Sequence, residues 1–226
     1  MLQLLLADSR FPSGAYAHSL GLEQAVADGL TDVPAFMAAR LRLVAESDAR
    51  FAVEARRCNV ARREQGPLVP AGDAAPRRPA TGGRNSLSDE WCARCPSPVL
   101  RDVSFRLGRQ LLRSAATVFG VAEANVPRPI ALGLTCAAAR LDDDATARLA
   151  LYDDASTVAS AALKLLPLDP AVTARWVAEL APRMELAARA IAADATPLED
   201  LPAPAAVALE LAAPVHQRTR ERLFAS

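Results

Sequence analysis

Lysine is nearly absent from this chain. Lys164 is the only one in 226 residues, and every other cationic side chain is arginine. Histidine is almost as scarce, with His18 and His216 alone, far apart in sequence. That scarcity argues against a histidine-built metal cage, because a closed zinc site needs a full tetrahedral set of ligands. Excess charge is also missing. Lys+Arg and Asp+Glu both stand at 26, which excludes a generally basic nucleic-acid binder. No stretch approaches the roughly 18 uninterrupted apolar residues of a membrane span. Met1 opens a short apolar run with no basic residues before it, so no export signal is expected and the chain reads as cytoplasmic.

The enzyme signatures are absent too. There is no G-x-x-x-x-G-K-[ST] phosphate loop, no G-x-S-x-G elbow and no H-E-x-x-H. The chain reads as a non-enzyme with no cofactor. Asp142 to Asp144 suit a helix N-terminus, and Asp153-Asp154 suit a solvated face, more simply than paired catalytic carboxylates. Cys58, Cys92, Cys95 and Cys136 read as free thiols. Cys92-x-x-Cys95 lacks both a second pair and the strand-to-helix turn of a redox motif. A small all-α redox protein using these two cysteines is the alternative reading, and a helical adaptor of an unrelated complex is another.

What is present is helical. Apolar residues make up 51% of the chain, enough for a globular core. Asp32 followed by Pro34 starts a helix expected to run to about Arg63. Val103, Leu107, Leu111, Ala115 and Val118 mark a second, with Gly108 positioned for close helix packing. Pro129 opens a small-residue helix through Leu141, in which Gly133 admits a neighbour. Helices beginning at Asp142 and at Asp169-Pro170 follow, the latter expected to kink at Pro182, and a short last helix precedes the C-terminus. Strict alternation long enough for a sheet is missing. The fold is therefore expected to be all-α, a single-domain multi-helix bundle over residues 1–226. Residues 65–97, crowded with Pro, Gly, Ala and Arg, are expected to form one long Pro/Gly-rich insertion.

One stretch organises the rest. In Phe11-Pro-Ser-Gly-Ala-Tyr-Ala-His-Ser-Leu-Gly-Leu-Glu23, a Pro12–Gly14 turn leads through Tyr16 and His18 into a helix. It resembles the N-terminal signature of the F-type urease accessory proteins (UreF), matching at Pro12, Gly14, Tyr16, His18, Ser19, Gly21, Leu22 and Glu23 and departing at Ala15 and Ala17. Ser104 to Leu112, Lys164-Leu-Leu-Pro-Leu168 and the closing Arg222-Leu-Phe-Ala-Ser226 are similar to three further family segments, in the family's order.

The resemblance implies a non-enzymatic scaffold. It would bind the D/H-type urease accessory protein, recruit the G-type GTPase and help deliver nickel to apo-urease, dimerising within the complex. It places Glu23 and Lys164 on the GTPase-facing surface. Arg222, Leu223, Phe224 and Ser226 belong to a partner-docking tail over residues 213–226. Pro12, Gly14, Tyr16 and His18 shape the N-terminal turn and border a passage for nickel. Neither a nucleic acid nor a membrane is implied as a partner.

Overall fold

The structure is a computed structural model that describes residues 1–8, 10–14, 17–64, 84–201, 203–204, 206–219 and 222–224. The expected Tyr16 and Ser226 sites lie outside the described residues, as does 65–83 of the expected insertion. Helices account for the regular structure, and no strand occurs among the described residues. The fold is all-α, as its periodicity predicts.

Helix starts follow local chemistry. After α1 (Leu2–Ala7) and α2 (Leu22–Ala27), α3 (Val33–Arg40) is capped by Asp32, whose carboxylate accepts from the Ala35 amide at 2.9 Å. The helical path continues through a π turn, Leu41–Ala45, into α4 (Glu46–Glu64). The long helix expected from Asp32 is therefore present, with one wide turn inside it. Arg40 leads into that turn and reaches out to other elements, a common association of π turns with sites of special contact. Ser97 and Pro98 open α6 (Pro98–Phe119), which ends at Gly120 in the left-handed region at φ 67°. After α7 (Arg128–Ala138), Asp142 caps α8 (Asp143–Leu165) and Asp169 caps α9 (Pro170–Ala193), which runs through Pro182 as one assigned helix. A final helix, α10 (Val207–Arg218), precedes the tail.

The segment 65–97 is not irregular throughout. Arg84–Ala93 forms a helix, α5. Leu87, Trp91 and Cys95, at i, i+4 and i+8, are buried, and Trp91 and Cys95 pack with Phe51 of α4. The Trp91 indole donates to the Asp48 carboxylate at 2.8 Å, and Arg94 reaches the carbonyls of Leu198 and Leu201. Tertiary burial of one face outweighs the segment's loop-like composition here.

Two hydrophobic clusters share α4 and α8. One joins α2, α3, α8 and α9 and includes Phe224; the other gathers α6 and α7. Helix α7 is almost wholly buried. A Cβ at Gly133 would collide with the Ala52 carbonyl, and one at Gly108 with the Val126 carbonyl. Both glycines are therefore packing residues, as their spacing suggests.

Candidate functional site

The turn before α2 aims the first functional side chain. Leu20 sits at φ 53°, an unfavourable region for a branched residue, and Arg40 holds it by donating to its carbonyl at 3.1 Å. Gly21 follows at φ 90° as the N-cap. Leu22 is fully buried, so α2 is anchored and Glu23 in its first turn points to the chain's end.

There Glu23 meets the tail. Its carboxylate accepts from the Leu223 amide at 2.6 Å and from the Phe224 amide at 3.1 Å. His216 Nε2 lies 3.4 Å from the same carboxylate, buried and outside hydrogen-bonding alignment. The Phe224 ring is only 3% exposed and inserts into the core cluster. Lys164, in the last turn of α8, places Nζ 5.1 Å from the ring centroid, within cation–π range. Leu223 is 71% exposed and Arg222 is exposed, donating to the Gln217 carbonyl at 3.3 Å. The family resemblance implies one surface for Glu23 and Lys164 and another for the tail. The fold brings them into one cluster, with Phe224 turned inward and its two predecessors outward.

The N-terminal turn is tied to α6 and α7. Ser114 Oγ donates to the Pro12 carbonyl at 2.8 Å, and Arg128 donates to the Ser13 carbonyl at 3.2 Å. Gly14, at φ 81°, adopts backbone that side-chain-bearing residues rarely take, and it faces the Gln110 amide, which would have to move aside for a Cβ. His18, which follows the turn, lines a cavity of about 490 Å³ bordered by α2, the π turn, α4, α5, α6 and α10. His18 is buried, and burial, then the charges of Arg128 and Arg106, push its pKa down to about 4. Its imidazole is thus neutral at neutral pH, the form able to bind a cation.

Asp48, deep in the same cavity, was not legible in the sequence. Desolvation outweighs the Trp91 hydrogen bond and raises its pKa to about 6. Nor do Asp153 and Asp154 form a solvated face. Arg128 pairs with Asp153 at 2.7 Å, and Arg40 pairs with Asp154 at 2.8 Å, all four largely shielded. Their partners are distant in sequence, so no local pattern reveals them. Among the described residues, no group of three or more His, Cys, Asp or Glu side chains is placed to hold a metal ion.

The cysteines are free. Burial pushes the Cys95 thiol up to about 12 and the Cys92 thiol upward as well. A reactive pair needs a depressed thiolate pKa, so this environment works against redox chemistry. No helix among the described residues is long and apolar enough to cross a membrane.

The architecture defines an all-α protein whose C-terminal tail is clasped by α2 beside a cavity lined by apolar and polar side chains. Comparison with known sequences gives the class a name. The UreF family profile matches residues 29–181. The chain is similar to the urease accessory protein UreF of Mycobacterium marinum (strain ATCC BAA-535 / M), 32% identical over 232 residues, covering 99% of this chain and 97% of that protein. UreF of Mycobacterium sp. (strain JLS) is 34% identical over 229 residues at the same coverage. UreF of Mycobacterium tuberculosis (strain ATCC 25618 / H37Rv) is 33% identical over 177 residues, 74% of each chain. This chain belongs to the UreF family of urease accessory proteins.

Proposed function

We propose that this protein is a non-enzymatic cytoplasmic scaffold for urease maturation. It binds the D/H-type accessory protein, recruits the G-type GTPase and, as a homodimer within that complex, helps insert nickel into apo-urease. Family membership supports the general role. The observation that supports its finer form is the convergence of Glu23, Lys164 and Phe224 on one cluster.

Glu23 and Lys164 form the GTPase-facing surface in this reading. Phe224 anchors the tail beneath them, while Arg222 and Leu223 face the D/H-type partner. The two docking surfaces are then neighbours. A partner that grips the tail changes the contacts of Glu23 and Lys164 directly, giving a coupling between sites through shared groups. His18 lines the cavity through which nickel, as cargo, passes, and Pro12 and Gly14 shape the turn that leads to it. A neutral His18 and the carboxylate of Asp48 supply weak, separated contacts suited to transfer rather than storage.

Lys164→Glu tests the reading. The variant is expected to keep its helical circular dichroism and the D/H-type partner but to lose co-purification of the GTPase. Intact GTPase recruitment would return Lys164 to a local role at the end of α8.

A further inference from the structure

Three of the four arginines of helix α6 share one edge, and the fourth, Arg101, donates to the Cys95 and Pro96 carbonyls. Arg106, Arg109 and Arg113 fall at i, i+3 and i+7 and are all exposed. Asp102 is the only acidic residue of the helix. Arg109 donates to Asn125 Oδ1 at 2.8 Å, a neutral group, and among the described residues none of the three arginines has an ion-pair partner. Arg40 and Arg128, by contrast, are matched by Asp154 and Asp153.

The edge meets the cavity at one end. Arg106 lines the cavity together with Gln110, Val103, Leu107 and, from α10, Leu209 and Glu210, while Arg109 and Arg113 continue the edge outside it. Its positive field reaches inward: Arg106 is among the charges that hold His18 in its neutral form. Guanidinium groups with no ion partner among the described residues, on an edge that meets a mostly apolar trough at Arg106, fit a segment that carries carboxylates on one side and apolar side chains on the other.

We propose that the Arg106–Arg109–Arg113 edge and the trough between α6 and α10 dock an acidic, leucine-bearing peptide segment of a partner protein. Carboxylates lie along the arginines, and apolar side chains enter beside Val103, Leu107 and Leu209. This surface requires neither Glu23 nor Lys164, so it adds a docking edge to the scaffold role. A nucleic acid would use the arginines but leave the trough empty.

Fluorescence anisotropy on the full chain tests this, with a fluorescein-labelled peptide repeating Glu-Glu-Leu-Glu-Leu as probe. Wild type is expected to bind it saturably, with affinity falling about tenfold from low to high salt. The Arg106→Glu/Arg109→Glu/Arg113→Glu variant is expected to bind about tenfold more weakly or worse. All three sites are exposed, so unchanged circular dichroism confirms that the variant is folded. A second variant, with glutamine at the three positions, is expected to fall between them. The proposal is overturned if the glutamate variant binds like wild type. It is equally overturned if the peptide with Gln in place of Glu binds as well, or if oligothymidine binds more tightly than the peptide. None of these readouts involves nickel or the GTPase, so failure here leaves the scaffold reading intact.

Discussion

Glu23 and Phe224 are 201 residues apart in sequence and joined by a 3.1 Å hydrogen bond from the Phe224 amide to the Glu23 carboxylate. The same carboxylate accepts the Leu223 amide, so one side chain satisfies two successive backbone donors. A carboxylate holding two amides and facing a histidine is a clasp, and the buried Phe224 ring is its pin.

Breaking the clasp and removing the pin should have different consequences. Glu23→Ala frees two amides near the surface and is expected to cost about 1–2 kcal/mol, felt chiefly in the tail. Phe224→Ala empties a core position and is expected to cost about 3 kcal/mol, near the lower end for such truncations because the tail can withdraw. Hydrogen exchange at residues 222–224 and urea unfolding separate the two. Slow exchange of the Phe224 amide in Glu23→Ala would show that the clasp does not hold the tail.

Two groups in the cavity titrate in opposing senses. His18 is held down at about 4, so its contribution is complete above its ordinary pKa of 6.5 and is lost as pH falls through about 4. Asp48 is raised to about 6, so its contribution is complete below 3.8 and is lost as pH rises through about 6. Each displacement is worth on the order of 3 kcal/mol at most. Between about pH 4 and pH 6 the two slopes oppose. In urea melts across this window, His18→Gln is expected to lose stability relative to wild type as pH rises. Asp48→Asn is expected to gain it. Parallel curves for both variants and wild type would mean that neither group is held as described.

Close packing of α7 on α4 makes a third expectation. Gly133→Ala places a methyl group against the Ala52 carbonyl, which cannot withdraw without moving α4. The cost is expected to be about 1–3 kcal/mol, read as a lowered urea midpoint at unchanged slope. An unaltered midpoint would show that the two helices separate easily.

Helix starts were legible because their chemistry is local. Asp32, Asp142 and Asp169 cap the helices whose first turns they precede, and each acts within three residues. Helix α5 was hidden because its informative residues, Leu87, Trp91 and Cys95, stand in a segment dominated by Pro, Gly and Arg. Their partners lie on other elements: Leu87 joins the α6–α7 cluster, Trp91 and Cys95 pack on Phe51, and Asp48 accepts from the Trp91 indole. The sequence misleads about Asp153 and Asp154 for a related cause. Their partners, Arg128 and Arg40, lie 25 and 114 residues away, so the pair looks like an ordinary exposed acid run. Glu23, Lys164 and Phe224 were each singled out by resemblance, but their meeting depends on the whole bundle.

The proposed role of this chain in nickel delivery to urease is open to a cellular test. Nickel content and urease activity in cells expressing the host's urease operon test it most directly, with the chain present, deleted or restored. Deletion is expected to give low nickel and low activity, both recovered on adding the chain back. Recovery with Lys164→Glu should be poor. Full nickel loading of urease without the chain would contradict the account.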